Sequence, residues 1–322
     1  MPQIFGRNTF VKAGEETTYG ASASTPVSTR CYSMSLACVQ ERSRKTDLST
    51  SNGAFSQSFF DGFKVCSGGI TIPALYEGAG LYLKAALGNV ATTGAGPTYT
   101  HTYTADTTDL PSLTIQAQRG SGSVEEFKGC IISQLTLNAN AGEEVTMELE
   151  VIAQDANARS GTVTSSFGAG KQLFHYEAAN PNTIVMTPAS GPTINLTLNS
   201  FNLVVGNAVE AKNNLGSRLT SQPEVSDFRS AVLNIECFLL DDDIYTNFLD
   251  GTTYDIVVTF SETGSANTFK VKLFGCPISD YSDSIDTVGR LMRSFTLTGY
   301  SDASNEAIEI EVVNTQASGI AN

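Results

Sequence analysis

The sequence predicts a mostly β protein made of two tandem antiparallel β-sandwich or barrel domains, each with one short helix. Three observations lead there. Short segments alternate apolar and polar residues with a period of two, the mark of a half-buried strand. Turns rich in Gly, Ser and Asn separate them, as in antiparallel sandwiches and barrels. Stretches of the first half also recur, in the same order, in the second.

Taken in order, residues 1–30 end in a small-residue and proline stretch, "ASASTPVST", and read as an extended arm rather than core. "MSLAC" (34–38) reads as a strand. "ERSRK" (41–45) is the one basic cluster; Arg42, Arg44 and Lys45 read as a charged loop that meets an acidic surface on a neighbouring subunit. The segment 70–88 reads as a strand turning into a helix, with Pro73 near the helix start and Gly88 at its stop. Gly78 and Gly80 weaken that helix. "LTIQA" (113–117) places Leu113, Ile115 and Ala117 on one strand face. "RGSGS" (119–123) lacks the Gly-Lys-Ser/Thr of a phosphate loop and reads as a hairpin connection. "VTMELEV" puts Val145, Met147, Leu149 and Val151 opposite Thr146, Glu148 and Glu150. "INLTL" (194–198) and "IEIEV" (308–312) alternate in the same way.

"LLDDDIYTNFLDG" (239–251) admits two readings. Ile244, Tyr245, Phe248 and Leu249 form a helical apolar face, which Asp241 caps and Gly251 stops. A Ca²⁺ loop would need an Asx, a Gly and a Glu where Tyr245, Thr246 and Thr252 stand, so the helix cap is preferred and no metal is expected.

The repeat sets the domain plan. "GCIISQLTLNANAGEEVTMELEVIAQDA" (129–156) matches "GCPISDYSDSIDTVGRLMRSFTLTGYSDA" (275–303). "ITIPALYEGAGLYLKAALG" (70–88) matches "LNIECFLLDDDIYTNFLDG" (233–251) without a gap. "MSLAC" pairs more weakly with "FNLVV" (201–205). The first copy carries an extra stretch near "NVATTGAGPTYTHTYTADT". The expected boundaries are an arm at 1–30, a first domain at 31–160 and a second, duplicated domain at 161–322.

Composition narrows the function. The 322 residues carry 19 basic and 33 acidic side chains, a net charge of −14. So acidic a surface does not grip nucleic-acid phosphates. No apolar run approaches the ~20 residues that span a bilayer. Six cysteines without a Cys-x-x-Cys, and two histidines, make no zinc site, and the cysteines are expected reduced in the core. His101 and His175 have no nucleophile motif beside them and read as satisfied or solvated. No catalytic or cofactor-binding residue is expected.

The opening "FVKAGEETTYGASAST" resembles the start of bacteriophage tail tube (major tail) proteins, through Gly14, Glu16, Thr17, Tyr19 and Gly20. The resemblance implies a virion protein made in the host bacterial cytoplasm that assembles with itself. Members with two fused domains form rings of three chains with six pseudo-equivalent domains, stacked into a tube. An acidic lumen then lets DNA pass without binding. Tape measure, terminator and baseplate proteins would be its partners, and the N-terminal arm and the region of residues 40–62 would reach neighbouring rings. Another virion β-protein, such as a terminator, baseplate or decoration protein, and a tandem β-domain adhesin remain open as alternatives.

Overall fold

The computed structural model describes residues 9–44, 59–106, 110–120, 122–158, 161, 184–189, 191–238, 243–261, 265–284, 291–301 and 305–320. The chain begins with β1 (Phe10–Glu15), β2 (Val27–Thr29), β3 (Ser33–Met34), β4 (Ala37–Arg44) and β5 (Phe59–Pro73). Helix α1 (Gly80–Leu87) leads into β6 (Gly88–Thr93) and β7 (Tyr99–Ala105). There follow β8 (Leu113–Gln118), β9 (Val124–Asn140), β10 (Thr146–Ala153) and β11 (Asp155–Ala156). The second half opens with β12 (Ile184–Pro188), β13 (Ile194–Asn195), β14 (Leu198–Gly206), β15 (Val209–Asn213) and β16 (Thr220–Val225). It continues through β17 (Ser230–Phe238), α2 (Asp243–Leu249), β18 (Thr253–Ser261), β19 (Thr268–Ser284), β20 (Met292–Thr298) and β21 (Ile308–Asn314).

All pairings among the described strands are antiparallel. One sheet runs β4-β5-β10-β9-β14-β17-β20-β19, with β3 also on β5. A second runs β2-β1-β8-β9-β11. A third runs β6-β7-β21-β19-β18-β12-β13. β15 and β16 pair only with each other among the described strands. β9 and β19, 17 residues each, pass from one sheet into another. Each carries a glycine in the left-handed region, Gly129 at φ 61° and Gly275 at φ 59°. Only glycine takes that conformation without a Cβ penalty, and it lets the strand change sheets. The core between the sheets is one apolar cluster containing Ile115, Phe127, Met147 and Leu149 in the first half and Ile256, Phe269 and Leu297 in the second.

The pairings of the first half recur in the second. Leu135↔Leu149 corresponds to Tyr281↔Phe295, and a register shift follows in both, before Val151↔Ile132 and Leu297↔Ile278. Ser133 Oγ donates to the Glu150 carbonyl, and Ser279 Oγ to that of Thr296, each at 3.2 Å. Ile70↔Leu149 becomes Ile235↔Phe295. Met34↔Ile70 becomes Phe201↔Ile235, and Ala13↔Ile115 becomes Met186↔Ile256. The gapless sequence match sets Ile72 on Ile235, whereas the pairings set Ile70 there. The strand slips by two residues, which keeps the same face inward. The extra stretch of the first half is the β6–β7 hairpin, which pairs with β21 at the end of the chain.

Several expectations are corrected. Residues 10–29 are not an arm. β1 lies between β2 and β8, with Val11 and Ala13 fully buried, because its alternating pattern completes the second sheet. Pro73 ends β5 rather than starting a helix, and α1 begins at Gly80. A Cβ on Gly80 would stand 2.0 Å from the Gly319 carbonyl oxygen and 2.5 Å from the Tyr103 hydroxyl, so the glycine lets the C-terminal segment lie on the helix. The 194–198 run is broken into β13 and the start of β14. Arg42 and Arg44 lie in strand β4, not in a loop. Cys38 and Cys66 are directly opposite in β4–β5 and form a disulfide, against the expectation of six reduced cysteines. Cys31, Cys130, Cys237 and Cys276 form no disulfide.

Candidate functional site: a polar sheet face between two free edges

The residues singled out in "GEETTYG" form a lock inside the fold. Glu16 follows β1 and is buried, and its carboxylate accepts four hydrogen bonds. They come from Gly20 N at 2.8 Å, Ser112 Oγ at 2.7 Å, Thr114 Oγ1 at 2.9 Å and Gly129 N at 2.9 Å. One side chain thus ties the β1–β2 turn to β8 and to the kink of β9. Gly20 takes φ 76°, and a Cβ there would meet Gln154 Oε1 at 2.0 Å. A Cβ on Gly14 would meet Ala23 at 2.9 Å. The Tyr19 ring packs over Gly129, and burial, with Cys130 and Glu16 nearby, pushes its phenol pKa up. Thr17 is exposed. The carboxylate cannot act as a base toward a ligand, since its four acceptor positions are filled.

Arg42 pairs with Asp61 at 3.3 Å and stands over the Phe59 ring, while Arg44 is exposed at the end of β4. Arg218, between β15 and β16, reaches the same Asp61 at 3.0 Å. Lys45, Asp241 and His175 lie outside the described residues. His101 is fully buried and satisfied: Nδ1 meets Thr92 Oγ1 at 2.9 Å, and Nε2 faces Asn314 Oδ1 and the Gln316 carbonyl at 3.0 Å. Two acceptors at Nε2 place the ring proton there and leave Nδ1 to accept from Thr92.

The eight-stranded sheet buries one face and exposes the other. On the outer face stand Gln134, Thr136 and Asn138 of β9, Glu148 and Glu150 of β10, and Ser200 and Asn202 of β14. Asn234 and Glu236 of β17, Ser294 and Thr296 of β20 and Asp280 and Ser282 of β19 continue it. The charges among these positions are all negative. A row of amides and hydroxyls crosses the strands. Asn138 donates to Glu148, Asn202 to Asn138, Asn234 to Asn202, and Thr296 to Asn234. Such a row satisfies its own polar groups and offers little to an incoming phosphate except repulsion.

At its two ends the sheet is open. Among the described residues β4 pairs only with β5, and the Ile278–Ser284 part of β19 only with β20. The same two kinds of strand meet in mid-sheet, where β9 pairs β14 from Asn140↔Ser200 to Gln134↔Gly206.

A buried clasp backs that internal junction. Asn207, fully buried, donates to the carbonyls of Ala86 at 2.9 Å and Ile132 at 2.8 Å. Arg229 donates to Asn207 Oδ1 at 2.9 Å, and to the carbonyls of Ala86 at 2.8 Å, Leu87 at 2.9 Å and Asp106 at 3.1 Å. Burial lowers the Arg229 pKa, with Asp106 and Glu306 opposing. Its cation faces the negative end of α1. Sequence reading did not single out this pair, since a lone Asn and Arg carry no local pattern. The signal available was the shared Phe-Lys and Phe-Arg of "GFKV" (62–65) and "DFRS" (227–230).

Comparison with known proteins adds one finding. A family model described as phage tail tube protein matches residues 6–315, nearly the whole chain. No curated protein matches the chain.

Proposed function

From the premise that this chain belongs to the phage tail tube protein family, we propose that three copies join head to tail into a ring. Each chain is read as two copies of one domain, and together they make six pseudo-equivalent positions. Rings stack into the tail tube, with the polar, acidic sheet face toward the channel. DNA passes along that face without specific binding. The tape measure, terminator and baseplate proteins are the expected partners in the virion. The role is structural, and no catalytic step is assigned to any residue.

The observation that carries this reading is the β9–β14 junction. Within one chain the first half already continues into the second as one sheet, and the outer edges β19 and β4 are of the same kinds as the joined strands. A head-to-tail contact of this sort closes when the rotation per unit divides the circle. An unpaired strand edge is otherwise a liability that proteins cover. The carboxylates on that face, Glu148, Glu150, Glu236 and Asp280, support a channel past which a polyanion slides.

Contacts between rings are assigned to the outer part of the β4–β5 hairpin and to the residues preceding β1. Phe59, Phe60 and Val39 are more than half exposed on that hairpin, a cluster that a neighbour would cover. Negative-stain microscopy and native mass spectrometry test the proposal. The expected result is trimers and rings with an axial channel. Monomers or dimers alone at high concentration, or filaments without a channel, would overturn it.

A further inference from the structure

We infer that Gln40 and Lys64 clasp the C-terminal end of α2 in the next chain, as Asn207 and Arg229 clasp α1 within one chain. The inference rests on the ring reading and adds to it one specific contact.

The strand pairings make the assignment. Cys38↔Cys66 in β4–β5 corresponds to Val205↔Ala231 in β14–β17. Two residues beyond Cys38 stands Gln40, as Asn207 stands beyond Val205. Two residues before Cys66 stands Lys64, as Arg229 stands before Ala231. Amide matches amide, with one Gln40 Nε2 hydrogen given to the Gly62 carbonyl at 2.8 Å and the other left for the neighbour; cation matches cation, and each cation follows a phenylalanine, Phe63 or Phe228. On the receiving side, Ala86 and Leu87 end α1 before Gly88, and Leu249 and Asp250 stand in the same place before Gly251. Both glycines have positive φ, 112° and 67°. Ile132 corresponds to Ile278 across the matching register shifts.

Among the described residues the receiving end is open in the single chain. The last carbonyls of a helix have no partner within it. In α1 two of them are taken by Asn207 and Arg229. Among the described residues no donor reaches the carbonyl of Leu249 or Asp250. Ala86 is fully buried, whereas Leu249 is 65% exposed. Tyr245 is also exposed, while its counterpart Tyr82 is buried. Among the described residues α2 has the form of a clasped helix whose clasp is missing.

Lys64 can supply it. An ammonium has three donors. Two are engaged in its own chain, by Asp155 and by the Ala156 carbonyl at 2.8 Å. The third is left for the neighbour's helix end, where a cation is favoured. The same correspondence fixes the edge register. Val204↔Thr136 inside the chain maps to Ala37 of one chain opposite Ser282 of the next.

The test compares assembly with single-chain stability. Gln40→Ala with Lys64→Ala is expected to raise the half-assembly concentration by about tenfold or more in sedimentation velocity. Melting of the unassembled chain should change little, and Lys64→Arg should assemble like the parent. Asp155→Ala, which removes only the intrachain partner, should leave assembly intact. Independently, Ala37→Cys with Ser282→Cys should give disulfide-linked trimers on oxidation, measured against each single variant. Rings that form at the parent concentration despite the double alanine change overturn the clasp, as do rings in which the cysteine pair fails to cross-link. If the parent chain makes no rings at all, the ring reading falls and the clasp with it.

Discussion

Glu16 shows what one buried carboxylate does when every acceptor site is used. Glu16→Gln keeps the shape but turns an amide N–H₂ toward two of the four donors. The expected loss is about 2–4 kcal/mol of unfolding free energy by denaturant titration, since buried donors would lose a charged partner. Gly129 and Gly275 allow a cleaner comparison, because their φ values are nearly equal and their surroundings are not. A Cβ at Gly275 has nothing closer than the Tyr300 carbonyl at 3.4 Å. At Gly129 it would meet Gln154 Cβ at 2.8 Å and the Tyr19 ring at 2.9 Å. Gly275→Ala should therefore cost only the left-handed penalty of ~1–2 kcal/mol, and Gly129→Ala distinctly more. Equal losses in the two variants would show that crowding plays no part.

At the scale of elements, β19 and β21 are joined by an ion cluster as well as by their ladder. Lys270 pairs with Glu311 at 2.6 Å, and Lys272 with Glu309 at 2.6 Å and Glu311 at 2.9 Å. Burial alone would raise the Glu311 pKa, but the two lysines outweigh it and the net direction is down. Burial alone would lower the Lys272 pKa, and Glu309 and Glu311 reverse that. The depressed carboxyl contributes stability above its unfolded value of about 4.3 and loses it as pH falls through the folded value. The raised ammonium contributes fully below its unfolded value of about 10.4 and loses it as pH rises through the folded one. Melting temperature should thus hold between about pH 5 and 10 and fall on the acid side. Glu311→Gln should lower it at pH 7 and flatten the acid limb, so that variant and parent converge as pH falls through the folded Glu311 value. A constant difference between them from pH 7 to pH 3 would contradict this account. The α helices differ for the same tertiary reason: α1 is covered by the second half of its own chain, and among the described residues α2 has no such cover within it.

For the whole molecule, the placement of β1 changes what a truncation means. Removing residues 1–25 would strip Val11, Ala13 and Glu16 from the second sheet and its junction with β9. Loss of folding by circular dichroism is expected, not loss of tube formation alone. The charge of −14, with the described basic groups of the sheet's outer face confined to Arg42 and Arg44 at its β4 end, should leave the protein without measurable DNA retention at moderate salt in a filter or mobility assay. Salt-sensitive binding with a steep slope would contradict the assigned channel face.

By itself the sequence determined the β class, the strands at 113–117, 145–151 and 308–312, both helix stops and the family. Each depends on local physics: a period of two, a glycine at a helix end, a short motif. Its match of residues 70–88 to 233–251 lies two residues from the strand pairings beside α1, because side-chain alternation cannot tell registers that differ by two. Only the tertiary structure decided that β1 is core, since a six-residue strand acquires its meaning from the partners it lies between. It alone paired Cys38 with Cys66, and it alone brought Asn207 and Arg229 to the end of a helix 121 and 143 residues upstream. Those contacts depend on which strands become neighbours, and no local pattern of residues encodes a neighbour that distant in the chain.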